Sequence, residues 1–181
     1  MTTRSTIRRT AAALAVAGVI AGISIFSAGA AGAEPAVFEC TANQVDTKLV
    51  YGGAGMGSRH GAVEFTARQG ERCVLPATLP VGVTGAPDVR VRHTAPDDVP
   101  AVRLSNGSPA YVPLHWTAIA PAGQQQTPET ITVTAPSDSN PHGDHIDPEI
   151  GLDWSLGGID ATPRNHTIEV GAVTAGSAPS V

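Results

Sequence analysis

From Val45 onward, apolar residues recur at every second position in short runs bounded by Gly, Pro, Asn and Asp. The runs are VDTKLVY from Val45, AVEFTA from Ala62, CVLPA from Cys73, DVRVRH from Asp88 and AVRLS from Ala101. They continue with AYVPLHWTAI from Ala110, TITVTA from Thr130, IGLDWSL from Ile150 and HTIEVGAV from His166. A two-residue repeat is the signature of strands with one buried face. About nine such runs predict an all-β fold, an immunoglobulin-like antiparallel β-sandwich of about seven to nine strands. The inner faces are assigned to Val63 and Phe65, Val89 and Val91, Val102 and Leu104, Ile131 and Val133, Leu152 and Trp154, Ile168 and Val170. Glu64, Arg90, Arg92, Arg103, Thr132, Asp153 and Glu169 then point outward. With 15 prolines and 20 glycines, no segment after the first 33 residues sustains a 3.6-residue period. Pro113 lacks an amide donor, which predicts an edge strand or a bulge before Trp116.

The first residues break this pattern. Arg4, Arg8 and Arg9 precede an uncharged apolar run from Ala11 to Phe26, and Ala31-Gly32-Ala33 follows. This is the layout of an export signal, with cleavage expected before Glu34. The rival reading is a retained membrane anchor, although the run is Ala- and Gly-rich and short of the ~20 strongly apolar residues that span a bilayer. Ile7 before the arginine pair, with no Phe-Leu after it, favours the general secretory route over a twin-arginine one. Residues 34–174 are read as one secreted domain and 175–181 as a flexible tail. The expected location is outside the cell or in the cell wall, with no stable membrane span after cleavage.

Export changes the reading of charge and of sulfur. Losing three of 11 Lys+Arg leaves eight against 16 Asp+Glu, a net of −8. That sign argues against nucleic acid or anionic lipid as the main partner, because both need clustered cations. An even cysteine count in an oxidising compartment predicts a Cys40–Cys73 disulfide. Free thiols for redox or metal chemistry are the alternative, without a Cys-x-x-Cys to support it.

Candidate chemistry concentrates in SNPHGDHIDPEI, Ser139 to Ile150. His142, Asp144, His145, Asp147 and Glu149 all offer lone pairs, and no Lys or Arg lies between Asp138 and Asp160. A divalent cation, Zn²⁺ or Ca²⁺, would relieve the local repulsion. The spacing matches neither the His-x-x-x-His of a zinc helix nor a calcium-binding loop. The plainer reading is a solvated acidic loop, so no resident cofactor is expected. Elsewhere GGAGMG, Gly52 to Gly57, reads as a hairpin loop, since no helix and no Gly-Lys-Ser/Thr follows it. No Gly-x-Ser-x-Gly elbow is present, and Ser58 with His60 does not make a nucleophile and base by itself. Trp116 and Trp154 read as core more readily than as sugar platforms, and His115 as the outward neighbour of a buried ring. Asn106-Gly107 reads as a tight turn. Asn106-Gly107-Ser108 and Asn165-His166-Thr167 match a glycosylation acceptor pattern. No catalytic residue is assigned.

Several segments together resemble the actinobacterial secreted family known as domain of unknown function 4232. They are ECTANQV, AVEFTARQGERCVLPATLP, VRLSNGSPAYVPLHW and ETITVTAP, spanning Glu39 to about Ala135. The matching positions are Cys40, Thr41, Phe65, Thr66, Cys73, Leu75, Leu104, Gly107 and Ala110. Ala67 stands where that family usually has asparagine, and Asn106 where it usually has proline. The resemblance implies a secreted β-sandwich without a catalytic set. The resulting expectation is a monomeric, non-enzymatic binding or structural domain with an unidentified partner at the cell envelope or outside the cell. A divalent-metal-binding protein or metal-dependent enzyme centred on 142–149 is the alternative.

Overall fold

The computed structural model describes residues 37–134 and 149–178. In chain order its strands are β1 (Val45–Gly55), β2 (Ser58–Ala67), β3 (Arg72–Leu75), β4 (Val81–Thr84), β5 (Arg90–His93), β6 (Val102–Ser105) and β7 (Pro109–Thr117). They continue as β8 (Gln125–Gln126), β9 (Thr130–Val133), β10 (Ile150–Asp153), β11 (Ile159–Asp160), β12 (Thr167–Val170) and β13 (Thr174–Ala175). Two short 3-10 turns, Ala42–Gln44 and Ala122–Gln124, are the helical elements among the described residues.

One sheet runs β1-β2-β7-β12-β5, with β13 also paired to β7. A three-stranded sheet, β10-β9-β4, lies in the second layer, and β3–β6 and β11–β8 form two smaller ribbons. Inward residues of all these sheets meet in one core: Val63, Phe65, Val112, Leu114, Trp116, Ile168 and Val170 from the large sheet, Val81, Ile131 and Val133 from the three-stranded one, and Leu75, Leu104 and Ile159 from the ribbons. The molecule is therefore an all-β sandwich, as the two-residue repeat predicts. Each of the nine runs carries a strand.

The differences have local causes. β5 and β12 pair in parallel, so the sheet is mixed and not wholly antiparallel. The short strand β4, VGVT, escapes notice because Val81 and Val83 alone mark its inner side, with Gly82 opposite Thr132 on the outer one. A Cβ at Gly82 would lie 2.8 Å from Thr132 Oγ1 on the neighbouring strand. Pro113 sits in a central strand and not at an edge, between β2 and the β12/β13 side. Its carbonyl accepts from Gly171 N–H at 2.9 Å. Backbone N–H and C=O of one strand residue point the same way, so the missing donor faces the gap where β12 has ended and β13 has not begun. Ala175, expected in a flexible tail, pairs with Ala110 instead.

Two tight turns shape the ends. GGAGMG does close a hairpin, but β1 extends through Gly55 and the turn is only Met56-Gly57, both at positive φ. Asn106 and Gly107, at φ 45° and 77°, form the expected tight turn between β6 and β7. It does not join paired neighbours. β6 pairs with β3 and β7 with β2, so the turn carries the chain from one sheet to another. Gly107 N–H donates to Ala67 O at 2.9 Å across this corner.

Candidate functional site: a charged row on the large sheet

The disulfide is present. Cys40 and Cys73 are bonded with Cα atoms 4.7 Å apart, and hydrogen bonds Cys40 N–H to Val74 O (3.0 Å) and Val74 N–H to Phe38 O (2.9 Å) set the N-terminal segment beside β3. Trp116 and Trp154 are buried, with rings edge to face at 5.4 Å. Their indole N–H groups donate to Gly158 O and Gly157 O. Both rings belong to the core and neither offers a platform. Of the proposed metal set, His142, Asp144, His145 and Asp147 lie outside the described residues. Glu149 is described and exposed, immediately before β10. Among the described residues no group of three or more His, Cys, Asp or Glu is placed to hold a metal ion.

The outer face of the large sheet carries an arrangement that the sequence reading did not assemble. Gly61, Leu114, Ile168 and Val170 alternate inward, so His60, His115, Glu169 and Arg92 stand on the solvent side. Register then aligns them. His60 pairs with His115 between β2 and β7, His115 with Glu169 between β7 and β12, and Glu169 with Arg92 between β12 and β5. The imidazole rings are 4.8 Å apart between centroids. His115 Nδ1 lies 3.4 Å from Glu169 Oε2, and Arg92 Nη2 donates to the other carboxylate oxygen of Glu169. The Arg92 hydrogen bond holds the Glu169 carboxyl below its ordinary value of 4.5 against the opposing effect of burial, and His115 adds to the lowering. Cross-strand neighbours of this kind interact directly.

Beside the row lies a cavity of about 260 Å³ lined by Arg92, His115, Thr117, Arg164, Thr167 and Glu169, among others. Its rim is a locked turn. Thr162 and Asn165 exchange backbone hydrogen bonds at 3.0 and 3.1 Å, Asn165 N–H also reaches Thr162 Oγ1 at 3.1 Å, and His166 Nδ1 lies 2.9 Å from Thr162 O. Arg164 sits inside that turn. A larger cleft of about 430 Å³ opens near Tyr51, Arg59, Gln125 and Gly157. Several of its polar side chains are already engaged: Arg59 donates to Tyr51 Oη at 3.2 Å and Gln125 Nε2 to Ala120 O at 2.7 Å.

Below that cleft Asp160 is buried and receives Ile119 N–H at 3.0 Å and Ala120 N–H at 2.9 Å. It pins the chain leaving β7. Sequence patterning gave no sign of this role, because Asp160 is the second residue of a two-residue strand too short to show alternation. For the charged row the signal was half present. The pattern places Arg92, His115 and Glu169 outward, but His60 precedes the run that begins at Ala62, and no single strand says which residues stand side by side.

A β-sandwich with a disulfide at its N-terminal end and a charged row on its open sheet is the class that this geometry defines. The chain belongs to the family described as domain of unknown function (DUF4232), whose model matches residues 40–174. The match runs past Ala135, where the sequence resemblance thins, takes in β10 to β12 and ends at the first residue of β13. No curated protein and no solved structure matches the chain. Among the described residues no helix is long and apolar enough to cross a membrane.

Proposed function

We propose that this protein is an exported, monomeric, non-catalytic binding domain of actinobacterial type, acting at the cell envelope or outside the cell, and that its ligand docks on the outer face of the large sheet. The observation that carries this reading is the His60–His115–Glu169–Arg92 row with its adjoining cavity. Four polar side chains from four separate strands are held in line by backbone register, so the surface is organised before a ligand arrives. The N-terminal leader and the Cys40–Cys73 bond support the extracytoplasmic setting, since disulfides persist in oxidising compartments. Conserving a fold while changing what its surface binds is how such sandwiches acquire separate roles.

The test is a pull-down from culture supernatant and cell-wall extract with the protein and with a His60→Ala/His115→Ala variant. A component retained by the first and lost by the second supports the reading. Equal retention by both places binding elsewhere. The second reading, a divalent-metal-binding protein or metal-dependent enzyme centred on His142, Asp144, His145, Asp147 and Glu149, is supported by the donor types in the sequence. Heat on titration with Zn²⁺ or Ca²⁺ that vanishes in His142→Ala/His145→Ala would establish it.

A further inference from the structure

The cavity beside the charged row has an unbalanced chemistry. Arg92, Arg164, His115, Thr117, Asn165 and Thr167, whose side chains all carry hydrogen-bond donors, line it, with Glu169 the one carboxylate. That carboxylate is already committed on both oxygens, to Arg92 and towards His115. Arg164 forms no ion pair among the described residues, although the chain after its leader carries twice as many acids as bases. Two guanidinium groups against one engaged carboxylate leave a local positive excess on an acidic protein. The turn that presents Arg164 is cross-bonded from Thr162 to Asn165, so its backbone is ordered in advance of any ligand.

We propose that this cavity is an oxyanion-binding subsite, which takes the phosphoryl or carboxylate group of a small polar molecule between Arg92 and Arg164, with the Thr117 and Thr167 hydroxyls and the Asn165 amide completing its hydrogen bonds. The inference rests on the proposed binding face and names the class of ligand that face receives. Arginine forks match the planar or tetrahedral array of oxygens in such groups. The cavity, at about 260 Å³, falls below the ~300–1,000 Å³ of sites that enclose a whole drug-sized ligand. It grips a headgroup and leaves the remainder of the molecule on the sheet, over His115 and His60. A long polyanion such as nucleic acid does not fit the same account, because the surrounding acidic chain repels it.

Amide chemical-shift titration of the protein with inorganic phosphate, glucose 6-phosphate, glucuronate and glucose tests the assignment. Saturable shifts at Thr117, Asn165 and Thr167 with at least one of the charged probes, and none with glucose, are expected. Which charged sugar saturates first identifies the phosphoryl or the carboxylate source. Arg164→Gln, on an exposed turn, should weaken that binding roughly tenfold, the loss of one charge-assisted hydrogen bond. Absence of saturation by ~20 mM, far above a millimolar Kd, or equal affinity in Arg164→Gln, overturns the proposal. If the charged probes fail while retention of the wall component still depends on His60 and His115, the ligand class is wrong and the binding face stands. If both fail, the face is wrong as well.

Discussion

Replacing Asp160 with alanine is expected to cost about 3 kcal/mol of stability, and the figure follows from the hydrogen bonds it accepts. Ile119 N–H lies 3.0 and 3.2 Å from the two carboxylate oxygens, and Ala120 N–H lies 2.9 Å from Oδ1. A hydrogen bond to a charged acceptor contributes about 1.5–3 kcal/mol net. Two such donors would give the upper end if both were shut away from water. Ile119 is 64% exposed, however, so solvent reaches part of this segment once the carboxylate is gone. Removing a buried charge also recovers some of its desolvation cost. The lower end of the range for each bond is therefore the better guide. Asp160→Asn keeps one acceptor oxygen and presents an NH₂ group to the Ile119 donor, so it should cost about 1–2 kcal/mol. Urea unfolding of the three proteins measures the order, wild type above Asn above Ala, with unchanged slope. Amide exchange at Ile119 and Ala120 supplies the local readout. An alanine variant within about 0.5 kcal/mol of wild type, the range of ordinary surface changes, with both amides still protected, would refute the reasoning.

Two further outcomes follow from the structure. Cys40→Ala/Cys73→Ala opens a loop with a sequence separation of 33, and the chain-entropy treatment gives a loss of about 3.7 kcal/mol. Since the Cys40 and Val74 backbone bonds remain, the loss should come with a larger urea slope from a more expanded denatured chain, and an unchanged midpoint would contradict the account. The pH dependence should fall off on both sides. Glu169 is held below 4.5 chiefly by Arg92, so its contribution is complete above that value and disappears as pH drops through the lower folded value. Tyr111 is raised above 10.0, first by burial and then by Glu64, so its contribution is present below 10.0 and is lost as pH climbs through the folded value. Arg92→Gln should flatten the acid limb and leave the alkaline limb in place, as followed by thermal melts across pH.

Much of the architecture was legible because burial on one face of a strand writes itself into alternate residues. Val63 with Phe65, Ile131 with Val133 and Ile168 with Val170 are buried as their spacing demands, and the outward Arg90, Arg92, Arg103 and Asp153 are exposed. Asn106-Gly107 announced its turn through the one conformation those residues adopt cheaply. Strands of two residues, β8, β11 and β13, are too short to carry any period, and β4 offers only Val81 and Val83 to mark its inner side.

By itself, then, the chain determined which residues face inward, where two of its tight turns fall, and that its two cysteines join, because each of these depends on local spacing or on composition. Which strands become neighbours, and in which register, was decided only in three dimensions. The parallel pairing of β5 with β12 brings Arg92 to Glu169 across 77 positions of sequence, and the antiparallel registers bring both histidines into the same line. Such pairings are selected by how the whole core packs, and an alternating pattern is equally satisfied by any partner strand.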